Sequence, residues 1–227
     1  MIRIVAIVLA LSAVLAAQPT YEAAHTVDTI TVDGRLTEFT WLAAKQVGPF
    51  QNIRGGEALP TQAQLAWDSR NLYIAFVAVD PKPWSRMFER DAELWNEEVV
   101  EVFLDPDGDG RDYAELEVSP HNVVVDLLIP APGAVPASEA ARWDIAGLKT
   151  AVGKQAPGWT VEMAIPWASL EESGVSEPPR PGAEWRVGLY RIERPENAEP
   201  QLLAWAPTQT NFHEPQRFGT VRFVIKP

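Results

Sequence analysis

Apolar and polar residues alternate with a period of two through most of this chain, and that alternation restricts the fold more than any other feature. Residues 62–67 set Ala63, Leu65 and Trp67 on one side against Gln62 and Gln64. Residues 98–104 set Val100, Val102 and Leu104 against Glu101 and Phe103, and residues 113–118 set Leu116 and Val118 against Glu115 and Glu117. Residues 72–79 (LYIAFVAV) are apolar on both faces, which predicts a central strand. Residues 29–33, 122–129, 148–152, 159–165, 185–192, 202–205 and 219–224 extend the series, with Asp-Gly, Ser-Pro, Pro-Gly and Asn-x turns between them. Helical periodicity is confined to one or two turns within residues 36–46. The pattern predicts an all-β chain: an antiparallel β-sandwich, jelly-roll or immunoglobulin-like, of about ten strands with a short N-terminal helix. The Pro-rich stretches 130–142 and 171–183 read as surface loops, because strands resume soon on either side.

A chain of 227 residues can bury a single core without a disulfide or a structural metal. The absence of cysteine excludes a thiol nucleophile, an iron–sulfur cluster and a thiolate zinc site. The formal charge of −12 repels phosphate backbones and anionic membrane surfaces, so no nucleic-acid partner is expected. At the N-terminus, Arg3 precedes an apolar run over residues 4–17 that ends in Ala16-Ala17, the form of a signal peptide. That run is shorter than the roughly 20 residues of a spanning helix. The expectation is a signal peptide over residues 1–17, a mature chain from near Gln18, an extension over 18–27 and one domain over 28–227. Such a chain would be exported, periplasmic or extracellular, with no membrane insertion after cleavage. The lack of cysteine suits a bacterial source.

No serine sits in a Gly-x-Ser-x-Gly elbow, no phosphate loop is present, and His25, His121 and His213 lack zinc spacing. The carboxylates say more. If residues 105–112 form a hairpin loop, Glu101, Glu115 and Glu117 share one sheet face. Such a face can supply the acid and nucleophile of a glycosidase, calcium ligands, contacts to sugar hydroxyls, or simply a solvated surface. Asp105-Pro-Asp107-Gly-Asp109-Gly110 resembles the opening of a calcium loop, with Asp105, Asp107 and Asp109 as ligands. The twelfth position, however, is Leu116, and a tight Asp-Gly turn explains the same residues. Trp67, Trp159, Trp167 and Trp185 alternate with apolar neighbours and belong to the core, and Trp41 would pack the short helix. Trp84, Trp95 and Phe212 lie in polar, loop-like sequence. An aromatic face beside carboxylates and amides can cover a sugar's C–H surface while the polar groups take its hydroxyls. A hydrophobic plug at the sandwich end is the competing reading.

Several segments occur in an order that resembles carbohydrate-binding module family 9. They are Ile30-Thr-Val-Asp33-Gly34-x-x-x-Glu38-x-x-Trp41; residues 68–80; Trp95-x-x-x-x-Val100-Glu101-Val102-Phe103-Leu104-Asp105; Gly158-Trp159-x-Val161-Glu162-x-Ala164-Ile165-Pro166-Trp167; Trp205-x-Pro207; and Phe212-His213-Glu214-Pro215-x-x-Phe218-Gly219. The resemblance covers residues 28–224. It implies a β-sandwich of antiparallel strands whose sugar-binding members hold the reducing end of glucans or xylans between two aromatic rings. By motif position Trp95 takes the place of one ring, and Phe212 that of the other, a tryptophan in those members. Glu101 matches an acidic sugar contact, and Gln209 and Asn211 fall near an amide contact. Glu117 departs from the pattern, standing where a basic contact is expected. The family also binds calcium structurally. The resemblance therefore implies an exported, non-catalytic protein whose partner is a carbohydrate, a neutral oligo- or polysaccharide. Two alternatives stand beside it: a glycoside hydrolase using Glu101 with Glu115 or Glu117, and a haem-binding electron carrier with Met87, Met163 and His121 as candidate ligands.

Overall fold

The structure, a computed structural model, describes residues 17–195 and 197–225; of the expected signal peptide, residues 1–16 lie outside them. The described residues form twelve strands: β1 (Thr20–His25), β2 (Gln51–Asn52), β3 (Thr61–Trp67), β4 (Asn71–Val79), β5 (Val99–Asp105), β6 (Tyr113–Val118), β7 (Val124–Ile129), β8 (Lys149–Lys154), β9 (Gly158–Pro166), β10 (Glu184–Glu193), β11 (Gln201–Ala204) and β12 (Gly219–Val224). Two short helices join them, α1 (Phe39–Ala43) and α2 (Ala137–Ala140). The strands make one sheet in the order β7-β6-β5-β10-β12-β1-β3-β4-β9-β8, with β11 beside the end of β10 and β2 beside β11.

This sheet curls onto itself. Val100, Val102, Leu116 and Leu189 from one half share a core with Leu65, Ile74, Phe76 and Met163 from the other. Strand β4, apolar on both faces, runs between β3 and β9. Two expectations need correcting. The layers belong to one continuous curled sheet, not two separate ones, because period two marks the faces of a strand and not where a sheet bends. Nor is the sheet wholly antiparallel: β1 runs parallel to both β12 and β3, closing the seam between the halves. Strand β1 falls within the residues expected to be an extension before the domain. Only Tyr21 and Ala23 point firmly inward from it, too short an alternation to stand out.

Residues 29–33, expected as a strand, form none. They wrap the outer face of β4 and β9, where a buried carboxylate holds them. Glu162 accepts the backbone N–H of Asp33 (2.9 Å) and of Gly34 (3.2 Å) on one oxygen, and the indole N–H of Trp41 (2.8 Å) on the other. Gly34 sits at φ +80° against the Gly153 backbone, where a Cβ would clash at 2.5 Å. The Asp33-Gly34…Trp41 motif is thus a structural latch.

The half-sheet β7-β6-β5-β10 carries buried apolar side chains on its outer face too. Val99, Phe103, Tyr113, Val125, Leu127 and Tyr190 build a second core there, covered by Leu94, Phe212 and Phe218 from loops. That covered face carries the candidate site.

Candidate functional site

Register decides which carboxylates meet. Glu101 on β5 lies opposite Glu117 on β6 and opposite Tyr190 on β10, while Glu115 lies opposite Phe103. All three glutamates therefore point to the outer face, and one carboxylate oxygen from each lies within 4.8 Å of the others. Each is buried. They open into a cavity of about 470 Å³ whose other walls include Trp95, Asn211, Phe212, His213 and Arg194. Glu101 Oε1 and both oxygens of Glu117 are buried with no hydrogen-bond donor. Burial is the main cause that raises all three carboxyls. Glu115 is pushed up to about 7; Glu101 and Glu117 rise well above the usual carboxylate range, with the neighbouring glutamate charges adding to the effect.

Two nitrogen bases stand at this face. Arg194, just past β10, donates from Nη2 to the Trp95 carbonyl at 2.8 Å and so ties down the turn that carries Trp95. The Nδ1 of His213 shares a hydrogen bond of 2.8 Å with the Tyr113 hydroxyl, and its Nε2 lies 3.8 Å from Glu115. Burial lowers the His213 pKa below 6.5, which keeps the ring neutral near pH 7.

The two aromatic rings differ in kind. Trp95 is half-buried on a single 3-10 turn, Leu94–Asn96, at the cavity wall. Phe212 is only 6% exposed and stacks on Tyr190, ring centroids 4.2 Å apart and planes 7° from parallel. Tyr190 in turn packs against Gly188, where a Cβ would come within 2.4 Å of the ring. One face of Phe212 is therefore already taken by protein. Asn211 lines the cavity, and its Oδ1 accepts the His213 N–H at 2.8 Å. Gln209 does not line it. It is exposed, and its backbone N–H donates to Glu214, the carboxylate that also gathers the Thr210 N–H and hydroxyl.

Sequence reasoning missed Arg194, His213 and Tyr190 as parts of this face. Period two carried beyond Ile192 puts Tyr190, Ile192 and Arg194 on one side, a signal that was available. In the hairpin after β5, the carboxylates of Asp105, Asp107 and Asp109 come within 4.8 Å of one another. Asp105 accepts the N–H of Gly108 (3.0 Å) and Gly110 (3.1 Å), and Asp107 and Asp109 each accept an N–H two residues on. The candidate haem ligands do not converge: Met163 is in the main core, Met87 packs on the second, and His121 stacks on Phe88.

Comparison with known proteins places these features in context. A family model described as "Carbohydrate family 9 binding domain-like" matches residues 32–226. Among curated relatives, the exoglucanase XynX of Acetivibrio thermocellus is 23% identical over 157 residues, covering 69% of this chain. Endo-1,4-beta-xylanase A of Thermotoga neapolitana is 23% identical over 202 residues, covering 86%. This chain spans only 13% and 17% of those two proteins. Among solved structures, a carbohydrate-binding module of family 9 from Caldicellulosiruptor kristjanssonii in complex with cellotriose superposes with a TM-score of 0.69. It is 18% identical, with 92% of this chain and 95% of that one covered.

Proposed function

The chain belongs to the carbohydrate family 9 binding domain-like family, and from that premise we propose that it is an exported, non-catalytic protein that binds carbohydrate in the cavity beside Trp95. The observation that carries this reading is the cavity itself. A half-buried indole, the Glu101 carboxyl and the Asn211 amide converge on one space of about 470 Å³, a size suited to one or two sugar rings. Trp95 offers a ring face for the sugar's C–H surface, Phe212 lines the same space, and Glu101 and Asn211 take hydroxyls. The acidic lining disfavours uronic acids and admits neutral sugars, since a ligand carboxylate would meet Glu101, Glu115 and Glu117 at short range.

The relatives are much longer glycanases, and their catalytic activity is not carried to this chain. Titration calorimetry with cellotriose and xylo-oligosaccharides tests the proposal, with micromolar to millimolar affinity expected because a short sugar presents little apolar area. Incubation with xylan or glucan should release no reducing sugar. Release that Glu101→Gln abolishes would favour a hydrolase instead. Export is proposed from Arg3 and the apolar run after it; mass spectrometry should find a mature start near Gln18. Among the described residues no helix is long and apolar enough to cross a membrane.

Calcium is proposed at the Asp105, Asp107 and Asp109 carboxylates, which would supply three of the six to eight oxygens the ion takes. Millimolar calcium should then raise the unfolding temperature, and Asp109→Asn should remove the rise. An unchanged temperature assigns these aspartates to the turn alone.

A further inference from the structure

Resting on the reading of this cavity as a sugar site, we propose that it prefers a sugar ring bearing an ammonium group over the neutral ring of the same shape. Three buried carboxyls each bring one oxygen within 4.8 Å of the other two. Glu101 Oε1 and both oxygens of Glu117 receive no donor from the protein. A buried carboxylate without donors is costly, so burial favours the protonated form of Glu101 and Glu117, and a ligand that supplies both charge and several donors lets them ionise against it. A sugar hydroxyl carries one proton and no charge. An ammonium carries three protons in a fixed threefold array, which matches three acceptors set this closely, and its bonds to carboxylates are charge-assisted.

The groups facing the triad leave that position open. Arg194 spends Nη2 on the Trp95 carbonyl and leaves Nε buried without an acceptor; its charge acts on Glu101, but it makes no hydrogen bond to the triad. Arg54 is exposed at the rim. His213 approaches only Glu115, at 3.8 Å, and is held neutral by burial. The Tyr113 hydroxyl is paired with His213, and the Tyr190 hydroxyl is buried without a partner. Once its carboxyls ionise, the face that bears Glu117 therefore has more acceptors than the protein supplies donors.

Titration calorimetry of the full chain near pH 7 with glucosamine, glucose and N-acetylglucosamine tests this. Glucosamine should bind at least about tenfold more tightly than glucose, a difference typical of one added charge-assisted contact. N-acetylglucosamine keeps the ring and loses the charge, so it should lose the preference. Glu117→Gln should bring the glucosamine-to-glucose ratio close to one, with unfolding followed in parallel to establish that the variant is folded. The comparison of the three sugars on the unaltered protein needs no variant and stands alone if Glu117→Gln does not fold. Glucose binding as tightly as glucosamine overturns the preference and leaves the sugar site intact. No binding of any sugar overturns both. Stabilisation by calcium that Glu117→Gln abolishes, with no preference for glucosamine, assigns the triad to a metal and also overturns it.

Discussion

Truncating Phe212 should unfold this protein more readily than truncating Trp95, although both rings border the same cavity. Phe212 is 6% exposed and lies parallel to Tyr190 at 4.2 Å within the second core. Removing a buried phenyl ring costs about 3–5 kcal/mol, of which the stacked pair accounts for roughly 0.5–1.5. In a chain of this length each kcal/mol shifts the unfolding temperature by about 2–4 °C, so Phe212→Ala should lower it by roughly 6–20 °C. Trp95 is half-buried on a single turn, and its truncation should cost only about 1–2 kcal/mol of stability. Its effect should fall on sugar affinity, weakening cellotriose binding by roughly tenfold or more. Differential scanning calorimetry and titration calorimetry on Phe212→Ala, Phe212→Leu and Trp95→Ala separate the two roles, with Phe212→Leu recovering part of the loss. If Phe212→Ala unfolds within about 2 °C of the unaltered protein, or Trp95→Ala is the less stable of the two, Phe212 is not the packing ring described and the reasoning fails.

Stability should decline from mildly acidic to alkaline pH. Glu98 is raised to about 9, Glu115 and Glu193 to about 7 and Asp105 to about 6, in each case chiefly by burial. A carboxyl raised in the folded state holds its proton longer than in the unfolded chain, so its contribution is present below the ordinary value and is lost as pH rises through the folded one. Glu97 and Glu214 are lowered, and their contributions are lost instead as pH falls below about 4.5. The unfolding temperature should therefore be higher near pH 5.5 than near pH 8.5 in thermal melts; a rise across that interval contradicts the assignment. Arg191, fully buried, pairs with Asp80 (3.2 Å) and with Glu193, so Arg191→Met should cost about 3–5 kcal/mol in urea unfolding by leaving buried carboxylates without a cation. Adding Asp80→Asn and Glu193→Gln should recover part of that loss. Glu162→Ala removes the acceptor shared by Asp33, Gly34 and Trp41, and should cost about 1–3 kcal/mol for each buried donor left without a partner. A Glu162→Ala protein as stable as the parent would show that residues 29–41 are held in another way.

What this sequence determined by itself is what lies within a few residues along the chain. Strands β3 to β12 form where period two is written, and the shared face of Glu101, Glu115 and Glu117 follows from strand parity and one hairpin. Those features rest on backbone geometry and turn chemistry, which act locally and leave a local trace. The tertiary structure decided the rest. Strand β1 pairs residues near position 20 with residues near 220, in parallel, because that insertion buries Tyr21 and Ala23 between two strands distant in sequence. The Asp33-Gly34…Trp41 motif gains its meaning only when Glu162, more than a hundred residues later, arrives beneath it. Phe212 reads locally as a loop aromatic; its stacking on Tyr190 makes it core on one face while it also lines the cavity. The acceptor excess around Glu117 likewise exists only because loops from residues 94–96 and 211–213 cover the sheet and bury those oxygens without bringing them a protein donor. Non-local burial selects among the many arrangements that one alternating pattern allows, so sheet order and the environment of each side chain emerge only once the whole chain has closed.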